Sequence, residues 1–406
     1  MSKVFTRVRA LAVSGALVAT GVVAAAPGTA HADGPGVGAP WIVSVGDSAI
    51  SGEAGRWAGN TNNGSSLIDA GGPAAYYDNA THTAEQIPGC HRSTAAMVHI
   101  GGGVNSLNIA CSGARTYTQT PGSGDFKPGL DFYNSGGYQG QAKVLQDFAA
   151  THNVKAIPLL IGANNYGFAD IVQQCVTDWL LSPSWWKDYC YDDSSVSSKF
   201  TAASVTARTT EVAGAIANIH QAMTNAGYSD SQYKIIVQTY VSPIPMGAGF
   251  RYGESGYTRQ STGGCGVWNR DADWANNTAV VKMNQALTNG VVQSGVTNYV
   301  IQNNASAFNG RRLCENTVGL LEEKGVANWT QANAPDLTEW QNQIRTVSTL
   351  IGPYQVQESI HPNYWGQLAL RNCLRQAYNA GGAIRGGTCS HGTGKNANGE
   401  PNMTLT

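Results

Sequence analysis

Two residues of this 406-residue chain are best suited to chemistry: a serine that follows a short apolar run, and a histidine followed by proline near the other end. The serine is Ser48, in Trp41-Ile-Val-Ser-Val-Gly-Asp-Ser-Ala-Ile-Ser-Gly-Glu53. Ile42 to Val45 reads as a short buried strand. Gly46-Asp47-Ser48 is the kind of small polar corner that ends one. Parallel sheets place ligands at the carboxyl ends of their strands, which makes Ser48 a candidate nucleophile. The histidine is His361, in Glu358-Ser-Ile-His-Pro362. A lone histidine is more often structural. This one follows a carboxylate by three residues and sits in a loop that opens a helix. With an unperturbed pKa of ~6.5, histidine suits a general base near neutrality. A serine and a base together point to nucleophilic catalysis.

Several strands and helices must hold these groups. Ser106 to Ala114 reads as a second strand ending in a small-residue corner at Gly113. Ala156 to Ile161 reads as a third, ending in Gly162-Ala-Asn-Asn165. Tyr233–Tyr240 and Thr297–Gln302 read as a fourth and fifth. Helical periodicity falls over 139–152, 202–226 and 275–292, and a last helix follows Pro362. Strands alternating with helices support a parallel sheet, so three corners, at 46–48, 113 and 162–164, should lie side by side on one edge. Residues 54–104 read as irregular, with His99-Ile-Gly-Gly-Gly103 as a turn. A stretch over about 170–200, rich in Trp and Tyr, reads as an insertion that either binds substrate or packs under its own disulfide. A Pro- and Gly-rich stretch over 243–271 reads as a rim or lid, and 381–406 as a Gly- and Asn-rich tail.

These blocks, in this order, resemble those of the GDSL or SGNH hydrolases, serine esterases and lipases of three-layer α/β/α, flavodoxin-like fold. The resemblance implies one such domain over 33–406, with a parallel five-stranded sheet and disulfide-tied insertions. It implies that Ser48 attacks an acyl carbonyl and that His361 moves the proton. The oxyanion hole would consist of the backbone N–H groups of Ser48 and Gly113 and the side-chain amide of Asn164. Asp47 would fix the loop by hydrogen bonding. Three positions depart from the family pattern: Ala49 replaces a bulkier Leu or Tyr, Asn165 an Asp, and Glu358 the Asp of the last block. Glu358 is expected to orient His361, the alternative being a backbone carbonyl nearby, as in some members. The expected substrates are lipid or simple acyl esters. Polysaccharide acetyl esters, acyl transfer with the same residues, and a non-catalytic extracellular binding protein are the alternatives. No cofactor and no metal are implied.

The first 32 residues carry Lys3, Arg7 and Arg9, an apolar run from Ala10 to Ala26, and Ala30-His-Ala32, the pattern of a cleaved secretory signal. Without those three basic residues, Lys plus Arg falls from 25 to 22 against 26 Asp plus Glu, a net charge of −4. No basic patch suited to nucleic acid is present. No later stretch has the ~20 apolar residues of a membrane span. The expectation is a secreted monomer without stable membrane insertion. Eight cysteines in an oxidising compartment imply disulfides. The simplest pairing joins neighbours: Cys90 with Cys111, Cys175 with Cys190, Cys265 with Cys314, Cys373 with Cys389. No Cys-x-x-Cys pair suggests structural zinc.

Overall fold

The computed structural model describes residues 33–119, 126–345, 356–380 and 386–406. The leader expected over 1–32 lies outside them. Asp33–Thr406 forms one compact unit. Its sheet contains β1 (Pro40–Gly46), β2 (Asn105–Asn108), β3 (Asn153–Leu160), β4 (Lys234–Gln238), β5 (Tyr299–Asn303), β6 (Gly386–Lys395) and β7 (Pro401–Leu405), in the order β2-β1-β3-β4-β5-β6-β7. Neighbours from β2 to β6 run parallel, and β7 returns antiparallel to β6. The inner strands are largely apolar because a parallel sheet is covered on both faces. Ile42, Val43, Val45, Ile157, Leu159, Ile235, Ile236 and Val237 are all fully buried.

The main helices are α1 (Gln141–Ala149), α2 (Phe168–Leu181), α3 (Ala202–Asn225), α4 (Val280–Ser294) and α5 (Tyr364–Asn379). α3 packs against both α1 and α4, while α5 packs on β5, β6 and β7. The expected helices fall where periodicity puts them, with ends moved by a few residues. A π-helical turn, Ala275–Ala279, leads into α4.

The structure corrects two expectations. The sheet has seven strands, not five, because the Gly-rich tail forms β6 and β7. Their sequence lacks β-branched alternation, and tertiary contacts decide the outcome. β6 pairs with the edge of β5. Gln376 of α5 donates to Met403 O and accepts from Leu405 N, and Arg375 pairs with Glu400 at 2.5 Å. The second correction concerns the stretch over 170–200. Much of it is α2, one face of which lines the site from Phe168 to Leu180, so only its second half is a loop insertion.

The disulfides join neighbours as expected: Cys90–Cys111, Cys175–Cys190, Cys265–Cys314 and Cys373–Cys389. Cys373–Cys389 ties α5 to β6 across 16 residues of sequence. Replacing both cysteines with serine should cost about 3 kcal/mol, the usual chain-entropy effect for a loop of this length. Urea unfolding checks this, and an unchanged midpoint would mean that the strand pairing alone holds the tail.

Candidate active site

Ser48 opens a single helical turn, Ser48–Ser51, directly after β1. The corner needs glycine at 46. Gly46 has φ +138°, and a Cβ there would lie 1.9 Å from Leu160 O. Gln141, the first residue of α1, clamps the same glycine, accepting from Gly46 N at 2.7 Å and donating to Gly46 O at 2.9 Å. Asp47 caps the turn by accepting from Ala49 N, and its own N–H bonds Leu160 O at 2.9 Å. Its carboxyl also accepts from the Tyr240 hydroxyl. Burial pushes Asp47 up to about 7, against the pull of Tyr240 and Ala49. These contacts give Asp47 the loop-fixing work that the sequence suggested.

His361 Nε2 lies 2.7 Å from Ser48 Oγ. Its Nδ1 lies 2.9 Å from the Ser359 carbonyl. A carbonyl only accepts, so Nδ1 carries the proton and Nε2 presents its lone pair to the serine hydroxyl. This is the tautomer a general base needs.

Glu358 does not make the contact expected of it. Its buried carboxylate accepts from Trp57 Nε1 at 2.9 Å and from the Tyr76 hydroxyl at 2.5 Å. The side chain leaves the short turn Val356–Glu358 toward the loops after β1, and the longer glutamate reaches those donors rather than the imidazole. The Ser359 carbonyl turns back onto the ring of the residue two places on because Ile360 adopts φ +58°. That conformation is strained for a β-branched residue, by of order 1–3 kcal/mol. Asn342 holds it from both sides, accepting from Ile360 N at 3.1 Å and donating its own N–H to His361 O at 3.0 Å.

Gly113 lies in the corner after β2 with φ +82°, and Asn164 lies on the 3₁₀ turn Ala163–Tyr166 after β3. The Asn164 amide donates to Ala114 O at 2.9 Å, which fixes it beside the Gly113 loop. The structure thus brings Ser48, Gly113, Asn164 and His361 to one cavity of about 750 Å³. Phe168, Val172, Val176 and Leu180 of α2 form one wall. A second, apolar pocket of about 60 Å³ opens beside Ser48 and His361, lined by Ala49, Leu160, Tyr240, Val280 and Met283 among others.

A buried ion pair that sequence reading missed lies behind the histidine. Glu53 Oε1 is 2.7 Å from His91 Nδ1, and Glu53 Oε2 accepts from Gln357 Nε2 at 3.1 Å. Burial opposes ionisation of Glu53, but His91 outweighs it and holds the carboxyl below its ordinary range. Burial likewise opposes charge on His91, which Glu53 and Glu85 hold above the ordinary imidazole value. Glu53 ends the block that contains Ser48, but nothing local says that it meets a residue 38 places on.

No protein-family model and no curated protein matches the sequence. The structure is similar to that of the extracellular lipase from Streptomyces rimosus, with 17% identity, a TM-score of 0.40, and coverage of 81% of this chain and 95% of that one.

Burial lowers the pKa of His361, and the field of Glu53 only partly offsets this, so the ring stays neutral below the ordinary 6.5. On a soluble ester, kcat/KM should therefore rise with pH through a midpoint below 6.5 and be level at neutrality. A midpoint above that value would mean that another group governs the acid limb. Glu358→Gln keeps an acceptor for Trp57 or Tyr76 and should cost about 1 kcal/mol, within roughly tenfold of wild type. His361→Ala should cost ~10⁴-fold or more. Equal losses in the two variants would restore Glu358 to the proton-handling chain.

Proposed function

We propose that this protein hydrolyses carboxylic acyl esters through a serine-bound acyl intermediate, as the SGNH hydrolases it resembles do. The observation that carries the reading is the hydrogen-bonded series Ser48 Oγ, His361 Nε2, His361 Nδ1 and Ser359 O, at 2.7 and 2.9 Å. In this scheme His361 Nε2 takes the hydroxyl proton as Ser48 Oγ bonds to the acyl carbon. The carbonyl oxygen gains the negative charge and meets the N–H groups of Ser48 and Gly113 and the amide of Asn164. As the carbon–oxygen bond to the alcohol breaks, His361 returns the proton to the leaving oxygen. Water then repeats the sequence, losing its proton to His361 and releasing the acid and free Ser48. The Ser359 carbonyl, rather than a carboxylate, accepts from the imidazolium throughout.

The apolar wall of the larger cavity supports acyl esters as substrates, lipid esters among them, because alkyl chains gain by leaving water there. The small pocket beside Ala49 supports a second reading, an acetyl esterase acting on polysaccharide, since it would suit a very short acyl group.

The test is hydrolysis of p-nitrophenyl esters from acetate to palmitate, with Ser48→Ala alongside. Turnover should vanish in that variant, and Asn164→Ala should lose ~10²–10³-fold in kcat. An optimum at acetate would favour the second reading. No turnover of any ester would sink both and leave a binding protein. Ala49→Tyr should fill the small pocket and narrow the range of esters accepted, and an unchanged profile would show that this pocket holds no part of the substrate.

A further inference from the structure

α2 has two ends of different character. Phe168, near its start, stands edge-on to His361 with ring centroids 6.4 Å apart. Phe168, Val172, Val176 and Leu180 recur every fourth residue and line the larger cavity along ~18 Å of helix. At the far end the apolar side chains emerge into water. Leu181 is 80% exposed, Trp185 81% and Trp186 73%. Large apolar side chains clustered in water mark an interaction surface far more often than isolated ones do.

The aromatic stretch is therefore divided. Trp179 is buried against Trp268, ring centroids 4.2 Å apart, near the Cys175–Cys190 disulfide. Trp185 and Trp186 are outside. That disulfide closes the loop bearing them onto α2. The neighbouring cation, Lys187, is already partnered, pairing with Glu254 at 2.5 Å and lying over the buried Trp268 ring.

We infer that Leu181, Trp185 and Trp186 form a docking surface for a lipid–water interface, from which an acyl chain passes along α2 to Ser48. Indole rings suit such an interface, having an apolar body and one polar N–H. Leu181 directly follows Leu180, the last residue of α2 to line the larger cavity. A sugar polymer fits less well. The two indoles are tilted 42° to each other and present no common flat face, and the third member is a leucine, which offers no hydrogen bond. The route to Ser48 rests on the ester-hydrolase reading, whereas docking requires no catalysis.

The two can be tested apart. Ser48→Ala protein, which cannot consume the lipid, is sedimented with phosphatidylcholine vesicles, with and without Trp185→Ala/Trp186→Ala. The tryptophan variant should bind at least roughly tenfold more weakly. Placed in the Ser48 protein, the same two changes should leave hydrolysis of dissolved p-nitrophenyl butyrate unchanged and reduce hydrolysis of emulsified triglyceride. Leu181→Ser should weaken vesicle binding in the same direction. Equal vesicle binding by both proteins, or none by either, would overturn the inference. Retention on insoluble xylan that depended on the tryptophans, without vesicle binding, would replace lipid by polysaccharide. Failure of the Ser48 protein to cleave dissolved esters would remove the hydrolase reading and leave the binding comparison intact.

Discussion

The hydrogen bond from His361 Nδ1 to the Ser359 carbonyl is the contact on which the site depends. It sets the tautomer, and the tautomer decides whether Ser48 faces a lone pair or a second proton. A carbonyl two residues back can reach the ring only if the chain reverses, and the positive φ of Ile360 makes that reversal. Strain of this kind persists only where surrounding contacts over-determine it. Here they do. Asn342 grips the backbone on both sides of Ile360, Glu358 is fastened by Trp57 and Tyr76, and Gln357 is fastened to Glu53 and to Gly89 O. Glu358 thus acts through the backbone it secures.

The electrostatics follow the same economy. In the proposed reaction, a histidine without a carboxylate on its second nitrogen lacks a fixed negative charge to receive the imidazolium. The ionised Glu53 supplies part of that field from behind, with His91 limiting its strength. On the other side Asp47, pushed up to about 7 by burial, accepts from the Tyr240 hydroxyl and places less negative charge beside Ser48 at neutrality than a free carboxylate would.

What could be read from the sequence divides along physical lines. Ser48, Gly113 and Asn164 could be placed at strand-ending corners because each follows an apolar run with small residues, and the resemblance to the family's blocks is what named Gly113 and Asn164 there. His361 was visible through its proline and the helix that follows. The acceptor on its other nitrogen was not, since a backbone carbonyl has no residue type to recognise and Glu358 offered a more conspicuous candidate. The Glu53–His91 pair was hidden because nothing in either local sequence encodes their meeting. β6 and β7 were hidden because their register comes from α5 and β5 rather than from their own glycine-rich composition. α2 is hard to read from sequence because its aromatic and polar residues mask the four-residue repeat, Phe168, Val172, Val176 and Leu180, on the cavity wall.

Ser48 and His361, the proposed nucleophile and base, stand 313 residues apart in sequence. A chain emerging amino end first has its serine, its glycine corner and its asparagine long before it has a histidine to activate them. Closing so long a loop is the step that proximal contacts cannot perform, and the turn that carries His361 has its anchors, Glu53, Trp57 and Tyr76, back near the start. In the proposed reaction, reactivity is therefore a property of the folded chain that already includes His361. In that scheme a chain made only as far as Ile360, or cut before His361, would hold an inert serine, and arrival of the segment bearing His361 would be the arming step.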